Sequence, residues 1–111
     1  MTPAESELLE AFLTHDFPGV EALRAQIPGL IAKRGCKCGC GTIDLIPQGK
    51  HLPKSSVRGW LPVSGQVLDE HGDTVGGVLI FVDDGLLSTL EVYWFDQPFQ
   101  LPRVEDVDWQ V

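Results

Sequence analysis

Cysteine occurs only at Cys36, Cys38 and Cys40, three thiols within five residues. Thiols this close support three outcomes: metal ligation, redox exchange, or burial as small apolar groups. For zinc, three thiolates and a histidine make a structural site, with Zn–S bonds of about 2.3 Å and sulfurs roughly 3.8 Å apart. Alternate residues of a flat strand stand about 6.7 Å apart, so only a turn brings the three together. Gly35, Gly39 and Gly41 permit that turn, and His51 in the following loop is the fourth ligand by position. The C-x-C spacing departs from the usual C-x2–4-C, and no second cysteine pair follows. For redox chemistry, Arg34 and Lys37 would favour the thiolate, but the C-x-x-C arrangement is absent. Burial near a helix–sheet junction requires none of this and is the simplest expectation. Zinc at Cys36, Cys38, Cys40 and His51 stands as the alternative.

Other chemistry-bearing residues are more scattered. Asp83-Asp84 could pair as carboxylates, but the glycine that follows marks a hairpin turn, where aspartate has an ordinary conformational role. His15, His51 and His71 have no serine or cysteine at a spacing that suggests a triad. Gly76-Gly77 falls inside a strand pattern and does not open a helix. It therefore relieves crowding beneath Trp94 or marks a bulge, and does not cradle phosphate.

The elements that must position these residues begin with a helix. Thr2, Pro3 and Glu5 spell a capping box, and Leu8, Leu9, Phe12 and Leu13 then recur on one stripe. Pro18-Gly19 ends it. A second helix runs from about Gly19 to Gln26, with Val20, Leu23 and Ile27 inward, and Pro28-Gly29 closes it. Leu30 to Lys33 and Thr42 to Ile46 read as a hairpin whose connection holds the thiols, or else Cys36 to Ile46 is one strand. The three glycines favour the hairpin. Residues 47–56 read as an exposed loop.

Three strands follow, over 63–69, 74–82 and 86–95. Glu70-His71-Gly72 and Asp83-Asp84-Gly85 both look like three-residue hairpin loops ending on a left-handed glycine. That choice pairs Val82 with Leu86, Val78 with Leu90 and Gly76 with Val92. Val78, Ile80, Val82, Leu90, Val92 and Trp94 then share the core face. Leu79, Phe81, Leu87, Thr89, Glu91, Tyr93 and Phe95 share the other. The tail from Asp96 is expected to dock Phe99, Leu101 or Trp109 back on the sheet. The fold class is α+β: two N-terminal helices packed on a four- or five-stranded, mainly antiparallel sheet, within one domain over 1–111.

Net charge is −8, which opposes general nucleic-acid binding. The bases Arg24, Lys33, Arg34, Lys37, Lys50, Lys54 and Arg58 cluster early with one acid, Asp44, whereas ten acids and only Arg103 follow Gly59. Such a dipole steers charged partners, or simply keeps the surface solvated. No basic leader runs into an apolar stretch, and Val78–Val82 is too short to span a bilayer, so a cytoplasmic, reducing location is the expectation.

Two stretches taken together, Cys38-Gly39-Cys40-Gly41-Thr42-Ile43 and Gly85-Leu86-Leu87-Ser88-Thr89-Leu90-Glu91-Val92 with Trp94, Asp96 and Pro98, carry a resemblance. The chain resembles small bacterial proteins of unassigned function that pair a C-G-C segment with a later G-x-L-x-x-L-E strand. That resemblance implies no activity, cofactor or catalytic residue. Cys38-Gly39-Cys40-Gly41 also resembles the opening of the SEC-C zinc motif, which needs two further ligands close downstream, and no cysteine follows Cys40. The expected function is a non-enzymatic protein-interaction module, immunity-like in its acidity. Thr89, Glu91, Tyr93 and Phe95 would bind another protein, with cover by a homodimer partner or by the chain's own tail as the alternative.

Overall fold

A computed structural model of the chain describes residues 2–34, 42–95 and 101–110. Helix α1 spans Pro3–Leu13 and begins as its sequence dictates. The Glu5 amide donates to Thr2 Oγ1 at 3.2 Å, and the Thr2 amide donates to Glu5 Oε1 at 2.8 Å. Two donors that the helix itself cannot satisfy are answered reciprocally. Helix α2 spans Val20–Ala25, entered through Gly19 at φ +92°. Leu8, Leu9, Phe12, Leu13, Val20 and Leu23 are all buried against the sheet.

The strands are β1 (Ile31–Arg34), β2 (Ile43–Ile46), β3 (Gly59–Trp60), β4 (Ser64–Leu68), β5 (Thr74–Asp83), β6 (Leu86–Trp94) and β7 (Val107–Gln110). They form one antiparallel sheet ordered β1-β2-β6-β5-β4-β7, with β3 also on β5. Seven strands replace the expected four or five. The additions are the two-residue β3 and the tail strand β7, whose pairings are non-local and leave little trace in the sequence. The tail does dock through Trp109, which meets Phe12 edge-on at 4.7 Å. Phe99 lies outside the described residues.

β1 and β2 pair as a hairpin, Ile31 with Ile46 through Arg34 with Ile43, so the thiol-bearing residues belong to its connection. Cys36, Cys38 and Cys40 themselves lie outside the described residues. Thr42 closes the near end: its Oγ1 donates to the Val92 carbonyl at 3.0 Å and accepts from the Val92 amide at 2.9 Å.

The first C-terminal hairpin is as expected, with Asp69 bonded to Asp73 across Glu70-His71-Gly72 and Gly72 at φ +81°. The second is not. Asp83 pairs with Leu86 across a two-residue turn, Asp84 and Gly85, both left-handed at φ +52° and +76°. Asp-Gly suits that turn because its twist matches the twist of the flanking strands. The turn moves the register by one position, to Val82 with Leu87, and an irregularity between Phe81 and Val82 adds a second, giving Val78 with Val92 and Gly76 with Trp94. A bulge at Ser88 lets Leu87 change sides, and Leu87 is buried, not outward as expected.

Close approach explains the glycine pair in β5. A β-carbon at Gly76 would strike the Tyr93 carbonyl and crowd the Trp94 ring, and one at Gly77 would strike the Tyr93 ring itself. The expectation of relieved crowding beneath Trp94 holds, with Tyr93 as a second cause. No helix among the described residues is long and apolar enough to cross a membrane.

Candidate functional site

Both helices lie on one face of the sheet, together with Trp109, Val107 and the half-buried Leu101 and Val104 of the tail. Among the described residues, neither helix packs on the opposite face. Strand alternation assigns Thr89, Glu91 and Tyr93 of β6 to it, along with Leu79 and Phe81 of β5 and Phe95 just beyond β6. Trp94, between two outward aromatics, turns inward and is half-buried against the core.

Two aromatic pairs stand on this face. Tyr93 and Phe95 are 39% and 68% exposed, with ring centroids 6.0 Å apart and tilted by 43°. Trp60, 62% exposed, is the cross-strand partner of Phe81 at 5.6 Å. Gly77 is the cross-strand partner of Tyr93, so Phe81 and the Tyr93 ring are four β5 positions apart, about 13 Å. Leu79 and Glu91, themselves a cross-strand pair, fill the interval. A cleft of about 730 Å3 borders the Trp60 end, between Pro18, Arg58 and Leu79.

The four residues expected to bind a partner thus share one face. Tyr93 and Phe95 are exposed, while Thr89 and Glu91 are half-buried. Trp60 joins them without having been expected, because only its pairing with Phe81 through β3 places it there. On the neighbouring β2, Asp44 is exposed opposite Thr89, and it in turn faces Lys33 of β1.

The remaining candidates lie elsewhere. His51 sits in the loop after β2 at φ +62°. Two residues on, the Pro53 carbonyl accepts from Gln26 Nε2, which also reaches Gly85 at the hairpin tip. Thr42, where the thiol connection rejoins the sheet, is bonded instead to Val92. Leu87, on the same glutamine, and Val92 are five strand residues apart, about 17 Å. Among the described residues, no group of three or more His, Cys, Asp or Glu side chains is placed to hold a metal ion.

Asp84 ion-pairs with Lys54 at 2.8 Å, which holds its carboxyl below the ordinary aspartate range. Its role is that of a turn residue. His71 lies against Glu70 in the other turn, and His15 packs on Trp109 with a centroid separation of 5.3 Å.

Gln26 had no place among the expected functional residues, yet it is fully buried. Its Nε2 donates to the carbonyls of Pro53 at 2.8 Å and Gly85 at 2.9 Å, and its Oε1 accepts from the Leu87 amide at 2.8 Å. The bulge leaves that amide outside the strand ladder, and the glutamine supplies its partner. Three-residue spacing from Val20 and Leu23 puts Gln26 on the inward stripe of α2, which was the available signal. Among protein-family models, curated proteins and solved structures, none matches this chain.

Proposed function

We propose that the protein is a non-enzymatic protein-interaction module whose partner docks on the open sheet face around Thr89, Glu91, Tyr93 and Phe95, with Trp60 extending the patch. The observation that supports this is the one-sided packing. Helices and described tail cover the same face, leaving Trp60, Tyr93 and Phe95 exposed on the other, among the described residues, with Phe81 half-buried beside Trp60. Aromatics bordered by polar groups are the composition of an interface core. A net charge of −8 and the half-buried Glu91 favour a basic partner, whose capture charge complementarity accelerates. Neutralising such a partner, as an immunity protein does, belongs to the same reading.

A photo-crosslinking residue at position 93 should label one basic protein in native cell extract, and the same residue at position 7 on α1 should not. The triple variant Trp60→Ser, Tyr93→Ser, Phe95→Ser should fail to co-purify that protein while still melting cooperatively. Labelling at both positions, or retention by the folded triple variant, would overturn the proposal. An adduct of twice the chain mass would identify a second copy as the occupant and overturn the basic partner.

A further inference from the structure

The Tyr93 ring does not stand up from the sheet. The atoms nearest to a β-carbon built on Gly77 are its Oη, Cζ and Cε1, so the ring leans across β5 onto bare backbone. Tyr93 nevertheless stays 39% exposed, so part of the ring remains open to water. The Phe95 ring, tilted 43° to it at 6.0 Å, makes the second wall of an open V. Glu91 occupies the preceding outward position, about 6.7 Å along the strand. It is half-buried, and among the described residues it has no hydrogen-bond or ion-pair partner. Asp44 adds a second negative charge from β2, and Lys33 is the base facing it from β1.

Resting on the interaction reading above, we infer that this V receives an arginine side chain of the partner. The guanidinium stacks on the outward face of Tyr93 and directs its N–H fork to the Glu91 carboxylate. A purely apolar occupant would strip water from Glu91 and return nothing. A lysine ammonium supplies charge but no plane to lie on the ring, whereas guanidinium is planar, weakly hydrated and matched to carboxylate. The pull of an acidic protein on a basic surface acts in the same direction.

The test uses the full chain and two capped tripeptides, Gly-Arg-Gly and Gly-citrulline-Gly, which differ by a cation against a neutral group of the same shape. In amide and aromatic NMR titrations, the arginine peptide should shift Glu91, Tyr93 and Phe95. Affinity should fall about threefold to fivefold for citrulline, and equally for the Glu91→Gln variant. Gly77→Ala, which forces the ring off the backbone, should weaken binding similarly. If that variant unfolds, the citrulline and Glu91→Gln arms decide. Equal binding of the two peptides, shifts centred elsewhere, or an unaffected Glu91→Gln would sink the inference. Should partner capture depend on Trp60, Tyr93 and Phe95 but not on Glu91, the arginine assignment falls alone and the interaction reading survives.

Discussion

Gln26 joins parts of the chain that no local force brings together. One amide side chain satisfies Pro53 in the long loop, Gly85 at a hairpin tip and Leu87 beside a bulge. For the buried bonds to Gly85 and Leu87, the energy lies mostly in the penalty for leaving a partner unmet. Replacement by leucine, similar in size, would strand the Leu87 amide, whereas the Gly85 carbonyl keeps the Ser55 amide at 2.9 Å and the exposed Pro53 can turn to water. Gln26→Leu should therefore cost about 2–4 kcal/mol in chemical denaturation. A loss under about 0.5 kcal/mol would show that the bonds are incidental.

The two C-terminal hairpins show what a turn sequence can and cannot specify. Asp69 accepts from the amides of His71 at 2.8 Å and Asp73 at 2.9 Å, and the Asp73 bond is foremost in drawing its pKa down. Lys54 does the same for Asp84. A carboxylate with a depressed folded-state pKa stabilises fully above its unfolded value, near pH 4, and loses that contribution as pH falls through the folded value. Backbone amide signals of His71 and Asp73 should accordingly titrate with a midpoint below the ordinary aspartate range, and Asp69→Ala should abolish the titration. A midpoint at or above the ordinary value would refute the assignment. The first turn, with its glycine three residues after Asp69, is legible from neighbours alone, as is the capping box at Thr2 and Glu5. The second differs from its expected register by two positions, one from the left-handed Asp84-Gly85 turn, which only the glycine hints at, and one from the bulge at Ser88. Leu87 then changed face through a bulge whose amide is satisfied 61 residues away, by Gln26. Nothing nearby in the chain encodes that.

Across the whole molecule, the division between a packed and an open side was foreseeable, because alternation along β6 separates Trp94 from Tyr93 and Phe95 whichever register is chosen. Trp60 was not foreseeable, since a two-residue strand carries no periodicity. The division should appear in stability. Phe12→Ala, under the helices, should cost about 3–5 kcal/mol, whereas Trp60→Ser on the bare side should cost less than about 1 kcal/mol. Comparable losses from the two would mean that the bare side is occupied. Thr42 carries a different implication. Because its single hydroxyl answers both main-chain groups of Val92, β2 is anchored to β6 before the strand proper begins. Removing that hydroxyl would leave both groups without their partner and loosen the near end of β2.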